Sequence, residues 1–126
     1  MLKHPDYIMV MVSDMRRSVA FYRDLLGLTL KFESPDWTEF STGTTTLALH
    51  GGAKPAGGAP AKESPAGTCT FGFSVADLDQ TYQTLKSKGV TFVMAPTNRE
   101  GEGIRLAVAL DPDGLALSFA ESKSSR

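Results

Sequence analysis

The chain carries the same short phrase twice. Val12-Ser13-Asp14-Met15 opens a helical run that stops at Gly27, and Val75-Ala76-Asp77-Leu78 opens a second that stops at Gly89. The two aspartates are 63 residues apart and the two glycines 62, so one residue of slippage accumulates inside the helix. Such a repeat makes the chain a tandem of two small units, each a strand, a helix and further sheet. Two units of this kind can pack their sheets into one cupped surface.

At 126 residues the chain has the size of one domain. The expected division is a first module over 5–50, a linker over 51–67 and a second module over 68–121. A hydrophobic content of 41% and a charged content of 21% are those of an ordinary globular chain. The net charge of −1 comes with scattered Lys and Arg, so no basic patch for nucleic acid or an anionic membrane is expected. No apolar run approaches the roughly 18 residues that span a bilayer, and Met-Leu-Lys-His-Pro-Asp has no secretory apolar segment, so the expected compartment is the cytoplasm. The single cysteine, Cys69, allows no internal disulfide and reads as a filler of a strand start rather than a nucleophile.

The order of elements reads as βαβββ, repeated. Tyr7 to Val12 alternates as a strand; Asp14 offers an N-cap, and Met15, Val19, Tyr22 and Leu25/Leu26 recur at helical spacing up to Gly27. Trp37 to Thr42 and Thr45 to His50 flank Gly43-Thr44, a tight hairpin turn. From Gly51 to Gly67 the chain is Gly, Ala, Pro, Lys, Glu and Ser, without a large apolar residue, a linker whose span as a flexible coil is about 23 Å. The second module follows with strand Thr70–Val75, a helix from Asp77 to Gly89, a short strand Val90–Met94, and strands Ile104–Leu110 and Leu115–Ala120 joined by Asp111-Pro112-Asp113-Gly114. Asn98 to Gly103 reads as a polar loop, and Glu121 to Arg126 as a frayed tail.

The pattern Val12-Ser13-Asp14-Met15, Ser18, Phe21-Tyr22, Leu26-Gly27, then Val75-Ala76-Asp77-Leu78, Lys88-Gly89-Val90 and Asp111-Pro112-Asp113-Gly114 resembles the vicinal oxygen chelate superfamily of glyoxalase I, bleomycin-resistance proteins and extradiol dioxygenases. The resemblance covers nearly the whole chain. It implies an α+β fold of two tandem βαβββ modules forming a cupped mixed sheet with helices on the outer face, and a homodimer whose ligand clefts take a module from each chain. It also implies metal ligands, usually His, Gln or Glu, on the cup faces of four strands. The matching positions here hold Tyr7, Thr70 and Ser118, with Ala48 or His50 at the remaining one, and these do not make a divalent site. The expectation is therefore no metal and no cofactor.

Strand parity places Thr70, Gly72 and Ser74 on one face opposite Phe71, Phe73 and Val75, and Ala116, Ser118 and Ala120 opposite Leu115, Leu117 and Phe119. With a two-residue turn at Gly43-Thr44, Ser41 pairs with Thr46, Glu39 with Ala48 and Trp37 with His50, all facing the cup, and Glu39 comes within reach of His50. A Glu39–His50 contact would hold the imidazole as a base; the alternative is a strand-end histidine in solvent beside a surface carboxylate. Arg105, on a face with Ala107 and Ala109, is either a surface or rim residue or a guanidinium that binds a carboxylate or phosphate. Tyr7 and Trp37 are stacking walls or core aromatics. Glu100 and Glu102 are rim carboxylates, with a weak claim as metal ligands.

Two function classes stay open. One is metal-independent binding or sequestration of a small organic molecule at a dimer interface, with Tyr7, Trp37, Glu39, His50, Thr70, Arg105 and Ser118 lining the site. The other is a lyase- or dioxygenase-type enzyme, either using metal held by unexpected residues or running through His50 as base with Glu39 as its partner.

Overall fold

The computed structural model describes residues 1–55, 66–99, 101 and 103–122. The chain divides into two compact units, Met1–Gly57 and Gly58–Arg126.

The first unit contains β1 (Tyr7–Met11), α1 (Met15–Ala20), β2 (Thr29–Glu33), β3 (Trp37–Ser41) and β4 (Thr46–His50), and its sheet runs in the order β1-β4-β3-β2. The second contains β5 (Phe71–Ser74), α2 (Leu78–Ser87), β6 (Thr91–Arg99), β7 (Ile104–Leu110) and β8 (Ala116–Ser122), in the order β5-β8-β7-β6. In each sheet the strand before the helix pairs parallel with the last strand of its unit, and the remaining pairs are antiparallel. The fold is α+β: two four-stranded mixed sheets with few helices, in two βαβββ modules. Among the described residues no helix is long and apolar enough to cross a membrane.

The repeated phrase is a repeated helix cap. Asp14 and Asp77 sit in extended backbone, and their carboxylates accept from the amides of Arg17 (3.1 Å) and Gln80 (3.0 Å), satisfying donors that a helix start leaves open. Gly27 and Gly89 end the runs at φ of 79° and 94°, a region in which a side chain would be strained. The extra residue in the first run is absorbed as a π-helical turn over Phe21–Leu25, where the Leu26 amide donates to the Phe21 carbonyl five residues back.

Each helix packs on one face of its own sheet. In the first unit Val10, Val12, Val19, Tyr22, Phe40, Leu47 and Leu49 form the core, with Tyr22 tilted against Phe40 at 6.1 Å. In the second, Leu78 and Leu85 of α2 are buried, as are Leu117, Phe119 and the narrow positions Ala107 and Ala109. Phe73 stacks on Phe119 at 5.8 Å, and Tyr82 meets Phe92 edge-on at 4.8 Å.

Several expectations need correction. The expected short strand Val90–Met94 is the longer β6, which takes in Asn98 and Arg99 from the expected loop; they pair with Arg105 and Ile104. Pro96 is tolerated there because it falls within a register shift between Met94 and Thr97. The start of the expected linker is tied to the first unit, with the Gly51 amide on the Asp36 carbonyl and the Ala53 amide on that of Val12. Residues 56–65 of that linker, together with Glu100 and Glu102, lie outside the described residues. Glu121 is not a frayed tail residue: it belongs to β8, and its carboxylate caps the Leu78 amide at 2.8 Å. The Asp111–Gly114 turn forms as expected, with Asp111 Oδ1 accepting from the amides of Asp113 and Leu115 and Gly114 at φ 90°.

Candidate functional site

In the first unit, pairing lays out three rows across β3, β4 and β1 on the face away from the helix: Trp37–His50–Met11, Glu39–Ala48–Met9 and Ser41–Thr46–Tyr7. The β3–β4 register is the one the tight turn predicts. Alternation makes this face the counterpart of the buried Leu47, Leu49, Val10 and Phe40. Tyr7, Met9, Met11 and Phe32 are 56%, 46%, 48% and 53% exposed, whereas Ala48 among them is fully buried beneath its larger neighbours. A sheet face carrying this much exposed apolar side chain differs from an ordinary solvated one.

Aromatic edges organise it. The Trp37 ring lies edge-on to Tyr7 at 6.5 Å and to His50 at 6.1 Å. Its indole Nε1–H donates to Glu39 Oε2 at 2.7 Å, and the other Glu39 oxygen stands 3.6 Å from Lys31 Nζ. Lys31 also reaches Thr46 Oγ1 at 3.5 Å. Tyr7 and Trp37 are thus face residues rather than core. The expected Glu39–His50 contact does not form, because the indole and Lys31 take both carboxylate oxygens.

His50 is held by its own backbone neighbour: Nδ1 lies 2.8 Å from the Gly51 carbonyl oxygen. A carbonyl only accepts, so Nδ1 carries the proton, and neutral His50 presents the lone pair of Nε2. Gly51 is required here, since a Cβ would come within 2.7 Å of the Pro35 carbonyl oxygen.

Thr70 and Ser118 belong to the second unit. Ser118 on β8 pairs with Gly72 and Val108 on the face away from α2, and its hydroxyl covers Gly72 so closely that a methyl there would overlap it. Thr70 is exposed just before β5. Leu106, Val108 and Leu110 share the Ser118 face through their pairing with Ala120, Ser118 and Ala116, which makes that face more apolar than Thr, Gly, Ser and Ala alone suggested.

Arg105 requires a correction. It pairs with Glu121 in the phase of Ala107–Phe119 and Ala109–Leu117, the helix-facing side, opposite to Ser118. Its guanidinium makes a bidentate pair with Asp79 of α2 at 2.8 and 3.0 Å and lies 3.9 Å from Glu121. The hydrogen bond from Arg105 holds the Asp79 carboxyl below its ordinary pKa, desolvation opposing it and the guanidinium charge reinforcing it. Arg105 therefore fastens the start of α2 to the sheet rather than offering a charge to an anion.

Among the described residues no three His, Cys, Asp or Glu side chains are grouped to hold a metal ion. Tyr7 in the first unit, and Thr70 and Ser118 in the second, each offer a neutral hydroxyl, a poor donor to a divalent ion. Sequence reading missed Lys31, Met9 and Met11; the period of two starting at Tyr7 carried the signal for both methionines.

The model of the Glyoxalase/Bleomycin resistance protein/Dioxygenase superfamily matches residues 4–119. A Bacillus subtilis (strain 168) relative, the uncharacterized protein YraH, is 32% identical over 115 residues, covering 84% of this chain and 88% of its own. Among solved structures, SMU.1112c superposes with a TM-score of 0.85 at 24% identity, over 96% of this chain and 100% of its own. TnmS3, an antibiotic binding protein from Streptomyces sp. CB03234, superposes with a TM-score of 0.76 at 22% identity, over 96% and 97%.

Proposed function

The chain belongs to the Glyoxalase/Bleomycin resistance protein/Dioxygenase superfamily, and we propose that it binds and sequesters a small, flat organic molecule without a divalent metal, in a cleft at the interface of a homodimer. The observation that carries this reading is the open face of the first sheet, where Tyr7 and His50 each meet the Trp37 ring in a T-shaped contact while Glu39 fixes the indole. Such a face offers stacking area with few polar anchors, the composition of an organic-ligand site. The second unit has hydroxyls of its own, Thr70 just before β5 and Ser118 on β8. The exposed Tyr7, Met9, Met11 and Phe32 support a covered face and hence a dimer. TnmS3 is an antibiotic binding protein with a similar fold, which favours a ligand of that general kind. A cytoplasmic location accords with the lone exposed thiol of Cys69.

The test is calorimetry of chelator-treated protein against a panel of planar aromatic compounds, with sedimentation to give the mass. Binding should survive removal of divalent metal, and Trp37→Ala should lose at least about 0.5–1.5 kcal/mol, the worth of one aromatic contact beyond its area, with the lost stacking area adding to it. Binding that appears only after zinc, nickel, iron or manganese is added would overturn the reading. A mass equal to one chain at micromolar concentration would overturn the dimer. A second reading, proton transfer from a bound molecule to His50, is favoured by the exposed Nε2 lone pair. His50→Ala would then keep binding and lose turnover.

A further inference from the structure

The strand Tyr7-Ile8-Met9-Val10-Met11 places two thioethers on one face, separated by a single residue that points the other way. Met11 is the register partner of His50 on β4, and Met9 is the partner of Ala48, one step along the same face. β1 and β4 run parallel about 4.8 Å apart, so Met11 stands next to His50 on the neighbouring strand, and Met9 follows one same-face step of about 6.6 Å along β1, which puts two flexible thioether side chains on the patch of sheet that carries the imidazole. Ala48 contributes only a methyl between them. Trp37 completes the row from β3, its ring centroid 6.1 Å from that of His50.

We propose that Met9, Met11 and His50 form a site for a soft monovalent cation, Cu(I) or Ag(I), with Trp37 as the aromatic neighbour of the ligating imidazole. The donor chemistry selects the ion. Two thioethers and an imidazole are all neutral, and thioether sulfur favours Cu(I) over hard divalent ions. A monovalent ion leaves only one net charge on a half-exposed face, whereas a divalent one leaves two. The carboxylate nearest to hand, Glu39, is already bound to Trp37 and Lys31. The Nδ1 bond to Gly51 fixes the ring with Nε2 free to ligate, the usual way a second contact orients a metal-binding histidine. The site does not rest on the organic-ligand reading above.

The test uses the full chain carrying Cys69→Ser, which removes the exposed thiol as a competing ligand. Under anaerobic conditions without thiols, the protein is titrated with Cu(I) held by bicinchoninate, and separately with Ag(I) while the emission of its only tryptophan is followed. The expected result is withdrawal of one Cu(I) per chain and a fluorescence change that saturates at one equivalent of Ag(I). Met9→Leu with Met11→Leu preserves bulk at exposed positions and should lower affinity by at least roughly 10–100-fold, the range seen when even a supporting group is lost. His50→Gln should do the same, and Zn(II) should not reproduce the fluorescence change. Unaltered Cu(I) withdrawal by the double methionine variant, no withdrawal by the Cys69→Ser protein, or equal binding of Zn(II) would each overturn the proposal.

Discussion

Removing the Glu39 carboxylate tests whether the tryptophan of the open face is fixed or merely present. The indole–carboxylate bond is short, 2.7 Å, and part-buried, with the Glu39 side chain 29% exposed. A hydrogen bond to a charged group contributes about 1.5–3 kcal/mol when well shielded, and partial exposure places this one at the low end, about 1–2 kcal/mol. The Lys31 contact adds little, because its side chain is 53% exposed and such pairs are worth about 0–1 kcal/mol. Glu39→Ala should therefore cost about 1–2 kcal/mol, Glu39→Gln about half of that because an amide oxygen still accepts, and Lys31→Ala least. Urea unfolding followed by ellipticity gives the three values. Because Trp37 is the only tryptophan, its emission reports separately whether the ring has become mobile. A Glu39→Ala protein whose stability stays within the roughly ±0.5 kcal/mol of ordinary surface changes, with unaltered emission, would refute the view that this bond positions the ring.

Two further outcomes are expected. Ser18 of α1 is fully buried and its hydroxyl has no hydrogen-bond partner among the described residues, so Ser18→Ala should raise stability, by up to about 1 kcal/mol in thermal unfolding, since an unpaired buried hydroxyl is a cost and Ala favours the helix. The Asp79 carboxyl, lowered by Arg105, stabilises the fold fully above its unfolded pKa and loses that contribution as pH falls through the lower folded value. Arg105→Ala should thus be less stable than the parent near neutral pH, with the gap closing in acid and narrowing in high salt; a gap that widens in acid would count against the assignment.

Local chemistry determined much of this protein from sequence. The Asp caps and terminal glycines of both helices depend only on short-range hydrogen bonds and backbone sterics, and the one-residue mismatch between repeats surfaces as the π-helical turn after α1. The tight turn at Gly43-Thr44 was enough to set the Trp37–His50 register, because an antiparallel pairing follows from the turn that joins it. The phase of β7 was not legible: in Ile104-Arg105-Leu106-Ala107-Val108-Ala109-Leu110 both alternations are mostly apolar, so hydrophobicity cannot choose a face. Only pairing with Leu117 and Phe119, and the reach of Asp79 from α2, turned Arg105 toward the helix. The partners of Glu39 were likewise decided in three dimensions, since Trp37 and Lys31 compete with His50 for the same two oxygens. Interactions that close within a few residues are written in the sequence, whereas those that depend on which strands become neighbours exist only once the sheet has formed.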